Sequence, residues 1–167
     1  MAEQTPSARV VQVNVNPAGG VPKQRTPSAE VSSKGVAGDK QRDRRHHGGP
    51  TRAVSLYSYE HIQALRAEGH PIVPGSTGEN LTIGGLNWPT LQVGDRLRIG
   101  EHVRVEITGY AVPCTNIVES FANGAITRIS QKINPGWSRL YARVLQPGLV
   151  CEGDAVALEQ RDVKRDA

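Results

Sequence analysis

Cys114 is the residue of this chain best placed to do chemistry, because of what flanks it. Val103, Val105 and Ile107 alternate with Arg104, Glu106 and Thr108, the period of two expected of a half-buried strand. Gly109 breaks that run, Pro113 fixes φ just before the cysteine, and Val112 is biased toward extended backbone. Asn116 reads as a helix N-cap, with Glu119 three residues on to complete a capping box. A cysteine at such a helix start is favoured as a thiolate by unpaired N–H groups and the positive dipole end. A thiolate can attack sulfur, carry a persulfide or bind a soft metal. The alternative is a small buried hydrophobe with no chemistry at all.

The remaining candidates are scattered and polar. Glu79-Asn80 reads either as a general base with an orienting amide or as a turn in which Asn bonds the backbone. The adjacent His46 and His47 point apart on any strand or loop, which favours solvation or an anion contact over metal ligation. Arg128, Lys132 and Arg139 read locally as solvated charges. Cys114 and Cys151 form neither a CxxC nor a zinc spacing, and nothing favours a disulfide between them. No GxGxxG, P-loop, HExxH or GxSxG motif occurs, so no nicotinamide or flavin site is signalled.

The elements that must position these residues are short and β-rich. The chain of 167 residues is read as one domain, with 37% hydrophobic and 22% charged residues. Eighteen Gly and eleven Pro imply many turns. A net charge of +4 suits an anionic partner, but two Trp, four Tyr and one Phe are too few for single-strand stacking platforms. The N-terminal residues lack a signal-peptide pattern and no apolar run reaches membrane length, so a cytoplasmic protein with no membrane partner is expected.

Val11, Val13 and Val15 give a first strand, and residues 16–50 read as a long basic loop. A strand over 53–57 leads into a helix capped by Ser58 that buries Ile62 and Leu65 and stops at Gly69. Residues 74–85 read as turn-rich. Gly94-Asp95 and Gly153-Asp154 each launch a short alternating strand, which suggests a closed or strongly curved sheet. Helices are expected over 116–122 and 126–133, and a strand over 141–145. The domain is bounded at 10–158, between a tail over 1–9 and a frayed end over 159–167.

Taken in order, Gly38-Asp39, His47-Gly48-Gly49, Ala53 to Ser58, Gly78 to Thr82, Leu91 to Asp95, Pro113-Cys114, Ala142 to Val144 and Gly153-Asp154 resemble the MOSC domain. This is the C-terminal domain of molybdenum-cofactor sulfurases, also found in stand-alone bacterial proteins. The resemblance implies a mainly β, barrel-like fold with about three short helices. It also implies binding of the molybdenum cofactor, a pterin dithiolene with a terminal phosphate, with Cys114 as molybdenum ligand or persulfide carrier. Lys23, Lys40, His47 and Arg52 are then expected to hold the anionic cofactor, Glu79 and Asn80 to line the pocket, and Thr115 and Asn116 to orient metal-bound oxygens. Many relatives carry an arginine where this chain has Ala111, so Arg128, Lys132 or Arg139 must substitute. The chain lacks the pyridoxal phosphate domain of full sulfurases and the additional N-terminal β-domain of larger reductases.

The leading expectation is therefore an oxidoreductase that reduces N-hydroxylated small molecules by two electrons. Cys114 would be the ligand, Glu79 a proton donor, and a separate protein the electron donor. The second is a persulfide carrier charged by a cysteine desulfurase. The third is a non-catalytic β-barrel that binds an anion or nucleic acid, with nucleic acid disfavoured by the thin aromatic content.

Overall fold

In the computed structural model, which describes residues 8–40 and 49–159, strands dominate and one α-helix crosses between two of them. The strands are β1 (Ala8–Val15), β2 (Gln24–Thr26), β3 (Ser28–Ser32), β4 (Gly35–Val36), β5 (Val54–Ser58) and β6 (Leu81–Gly84). They continue with β7 (Arg96–Ile99), β8 (Val103–Tyr110), β9 (Leu140–Gln146), β10 (Gly148–Cys151) and β11 (Ala155–Leu158). Seven of them run in the order β11-β7-β8-β9-β5-β6-β1, and pairing of β1 with β11 closes the ring into a barrel. Among the described residues only β5 and β6 pair in parallel, and the helix α1 (Tyr59–Ala67) lies on the connection between them. A parallel pair needs such a crossover, because its strands cannot be joined by a tight turn.

The alternation read in the sequence sets which side chains fill the barrel. Leu97 and Ile99 on β7, and Val103, Val105 and Ile107 on β8, are buried, while Arg96, Arg98 and Arg104 face solvent. Each fully buried Leu, Ile or Val contributes on the order of 1.5–3 kcal/mol. Both Gly-Asp turns behave alike. Asp95 Oδ2 accepts from Gln92 N at 3.0 Å, and Asp154 Oδ2 accepts from Cys151 N at 2.8 Å. The strands they launch, β7 and β11, pair with each other. Gly109 does not end β8. The strand continues to Tyr110, and a register shift against β9 between Ile107 and Gly109 absorbs the interruption.

α1 starts where expected. Ser58 has extended backbone and its Oγ accepts from His61 N at 3.1 Å, while Ile62 and Leu65 are buried. Ser58→Ala is expected to cost about 1 kcal/mol, the usual value of an N-cap. Urea denaturation with an unchanged m-value checks this.

Four expectations are corrected. The stretch after residue 16 is not a single loop: β2 pairs antiparallel with the end of β1, and β3 pairs with β4 and β10 in a small second sheet. β1 begins at Ala8, inside the expected tail, and Glu159 at the other end donates its N–H to Arg96 O at 2.9 Å. β6 occupies part of the expected turn region, 74–85. Finally, α1 is the one α-helix among the described residues. The two helices expected after Cys114 are 3-10 turns, Thr115–Ser120, Ala122–Gly124 and Ile126–Ile129. Left-handed backbone at Asn123 (φ 57°) and at Gly124 (φ 66°) breaks any longer helix there.

Candidate functional site

At the barrel end where β8 finishes and β6 begins, a cleft of 250 Å3 opens. One wall is Ala111 and Cys114, which follow β8; another is Arg139 and Tyr141 at the start of β9. Ser55 of β5 and the Thr77-Gly78 loop close the floor, and Gly20, Val21, Lys23 and Lys40 form the rim. Ser55 and Tyr141 are register partners across β5 and β9, and Tyr141 also faces Gly109 of β8. Three neighbouring strands therefore fix the relative places of Ser55 and Tyr141.

Cys114 is a half-buried free thiol with extended backbone, and its carbonyl accepts from Ile117 N at 3.2 Å. The capping arrangement expected around it is absent. The six-residue segment is 3-10, no side chain caps it, and Asn116 lies within its first turn rather than before it. Cys114 owes its place to the Pro113 corner and the cleft wall. Cys151, also a free thiol, sits in β10 and does not line the cleft.

Arg139 is the group that the sequence underrated. It is 7% exposed, and its Nη1 donates to Thr77 O at 2.7 Å. Its Nε meets no partner among the described residues. Burial pulls the guanidinium below its ordinary range. A buried donor left unpaired is costly, and the residue that carries it lines the cleft.

Lys23 is matched by Asp39 at 2.5 Å, in a pair whose side chains are 10% and 2% exposed. Asp39 also accepts from Asn16 N at 2.8 Å and from Asn80 Nδ2 at 2.9 Å. Lys40 is an exposed rim cation. Arg52 lies over the Tyr141 ring at 5.2 Å, behind the wall.

Glu79 and Asn80 do not line the cleft, contrary to expectation. Both are fully buried beneath it and act as scaffold. The Glu79 carboxyl accepts from Gly75 N at 3.1 Å, Thr77 Oγ1 at 2.8 Å and Thr82 Oγ1 at 3.0 Å. Burial pushes its pKa above the ordinary carboxylate value, and the three donors act to lower it. Asn80 Oδ1 accepts from Ser55 N at 3.1 Å, and its Nδ2 donates to Asn14 O at 3.2 Å as well as to Asp39. Gly75 has φ of 86°, and a Cβ there would meet Lys23 O at 2.5 Å. Only glycine lets the backbone at Lys23 approach the loop so closely.

The other expected contacts divide. Asn116 lines the cleft, whereas the exposed Thr115 does not. Arg128 does not line it: it makes a two-point ion pair with Glu68 at 2.8–2.9 Å and stacks 3.9 Å over Trp137. Lys132 is exposed and outside the cleft. Arg139 is thus the member of that trio placed beside Ala111, whose N–H donates to Arg139 O at 3.0 Å. His47 lies outside the described residues. Thr77 and Tyr141 were missed. Nothing local marks Thr77, while the Ser55–Tyr141 pairing depends on strand register.

Fold and site together define a closed β-barrel with a cation-rich cleft built around one accessible cysteine. The chain belongs to the MOSC domain family, whose sequence model matches residues 43–157. It is 33% identical over 128 residues to the uncharacterized protein YflK of Bacillus subtilis (strain 168), covering 76% of this chain and 57% of YflK. It is 32% identical over 135 residues to a protein named Reductase from Gibberella moniliformis, covering 78% of this chain and 23% of that protein. The chain therefore spans less than two-thirds of either relative. The crystal structure of YiiM from Geobacillus stearothermophilus has the same fold, with a TM-score of 0.71 at 24% identity over 94% of this chain and 77% of that one.

Proposed function

We propose that this chain binds the molybdenum cofactor and serves as a reductase of N-hydroxylated small molecules, with Cys114 as the protein ligand of the metal. The observation that carries the reading is the meeting of a half-buried thiol with the buried guanidinium-bearing Arg139 in the lining of one cleft. The association of MOSC domains with this cofactor, and a relative named Reductase, support the same direction.

The residues present fit the group. A thiolate is a soft ligand suited to a soft, oxidisable metal. Arg139 would offer the positive charge of its guanidinium to an anionic group, with Lys40 on the rim and Lys23 held by Asp39. A cleft of 250 Å3 falls just below the roughly 300–1,000 Å3 common for small-molecule sites. When bound, the cofactor would supply two-electron exchange with an oxygen-bearing substrate, its electrons coming from a separate redox protein. The chain itself would bind and orient: Cys114 anchors, Arg139 neutralises, Asn116 donates from the mouth, and Tyr141 supplies a flat wall. Glu79 is not placed to hand a proton into the cleft directly, because Thr77 and Gly78 lie between.

Elemental analysis of protein from a cofactor-replete host, wild type beside Cys114→Ala, tests the reading. Near-stoichiometric molybdenum in the wild type, falling at least about tenfold in the variant, is the expected result, since one metal–ligand contact exceeds 1.4 kcal/mol. Molybdenum in neither protein overturns it. An added sulfur on Cys114 after incubation with a desulfurase and cysteine would then mark a persulfide carrier.

A further inference from the structure

The stretch between the 3-10 turn ending at Ile129 and the first residue of β9 has no strand partner. Its buried carbonyls must find donors elsewhere or remain unsatisfied. Three successive ones are met by aromatic side chains. His61 Nε2 lies 2.7 Å from Gly136 O, Tyr57 Oη donates to Trp137 O at 2.7 Å, and Trp88 Nε1 donates to Ser138 O at 2.8 Å. A carbonyl only accepts, so the His61 proton sits on Nε2. Burial holds His61 below the ordinary imidazole value and pushes the Tyr57 phenol up, which keeps both as neutral donors.

The donors also brace one another. Tyr57 meets His61 and Trp88 edge-on, at centroid distances of 6.1 and 6.2 Å, and His61 packs on Trp137 at 4.2 Å. The next carbonyl, that of Arg139, accepts from Ala111 N at 3.0 Å and Ser138 Oγ at 2.7 Å. Four consecutive carbonyls are thus held, and the side chain that emerges from the last residue is the buried guanidinium with a free Nε.

Satisfying the polar tips of buried aromatics would need only some acceptor for each. Here donors from β5, from α1 and from the turn Trp88–Thr90 converge on consecutive atoms of one irregular strap. A guanidinium carrying an unmet donor gains by swinging toward water, unless its backbone is fixed. We infer that Tyr57, His61 and Trp88 are positioning residues that hold Arg139 aimed into the cleft. This rests on the reading of Arg139 as the residue that holds an anionic group there. Preorganisation of this kind lowers the ordering cost of binding.

The Arg139 Nε–H signal in 15N NMR reads the inference without any cofactor; it is assigned by its loss in Arg139→Lys. In the wild type it should exchange slowly with solvent. Tyr57→Phe removes one hydroxyl and should speed that exchange about tenfold, the equivalent of a hydrogen bond of roughly 1.4 kcal/mol. His61→Leu should do the same, and His61→Gln, which keeps an N–H donor, should restore slow exchange. If Tyr57→Phe does not fold, Trp88→Phe takes its place. A lowered melting temperature with unchanged Nε–H exchange in these variants would make the three residues merely structural and overturn the inference. Faster exchange with unchanged molybdenum content would leave the positioning intact and refute the cofactor-holding role of Arg139.

Discussion

Arg139→Gln, produced in a cofactor-replete host, is expected to retain between about a tenth and a hundredth of the cofactor found in the wild type. The estimate follows from one charge-assisted hydrogen bond, roughly 1.5–3 kcal/mol, at 1.4 kcal/mol per decade of affinity. Glutamine is neutral and shorter, so it supplies neither the charge nor the reach of a donor already anchored on Thr77 O. Arg139→Lys should recover part of the loss, because it restores a point charge without the planar fork. Lys132→Ala is the control: that lysine is exposed and outside the cleft, and its loss should leave cofactor content unchanged. Molybdenum and pterin measured per mole of protein check all three. Equal content in wild type and Arg139→Gln would remove Arg139 from the binding site.

The second large effect falls on stability rather than binding. Glu79→Ala should cost about 3 kcal/mol, because it strips acceptors from three buried donors. The two threonine hydroxyls can turn to other acceptors, but the Gly75 N–H cannot, and Gly75 is pinned against Lys23 O. For a chain of this size the loss corresponds to a melting temperature lower by roughly 6–12 °C. Glu79→Gln should lose much less, since its amide oxygen can still face Gly75. It should also change the pH dependence. Burial raises the folded-state pKa of Glu79 above 4.5, so the native protein holds the proton after the unfolded chain has released it. Stability from this group is therefore greatest below about 4.5 and declines as pH rises through the folded value. Urea denaturation across that window should show the decline in wild type and its absence in Glu79→Gln.

Much of the barrel was legible because its strands alternate cleanly. Val103, Val105 and Ile107 announce one face of β8, and the paired Gly-Asp turns announce β7 and β11. β2 to β4 escaped because they are short strands of mixed polarity, and β3 gains a partner, β10, that lies far away in sequence. Cys114 was legible from the Pro113 corner, although the helix expected after it is a 3-10 turn. Arg139 could not be separated from Arg128 and Lys132. What distinguishes them is burial and the donors of Tyr57, His61 and Trp88, which sequence does not place beside it. Glu79 and Asn80 show the reverse error. Polar side chains read as cleft chemistry are the buried framework below it.

The ring closes where Ala8 meets Val156 and Arg9 meets Ala155, with Val10 bonding to Gly153 and Asp154 just beyond. Those contacts join the two ends of the described chain, so the seam is the most nonlocal contact in the barrel. Closing so long a loop carries an entropy cost that local hairpins such as β7–β8 do not bear. During synthesis the seam is also the last part able to form, since β11 must leave the ribosome first. Until then β1 and β7 each present an open edge, the kind of surface that recruits another chain. Nascent chains stalled before residue 155 should therefore depend most on chaperones.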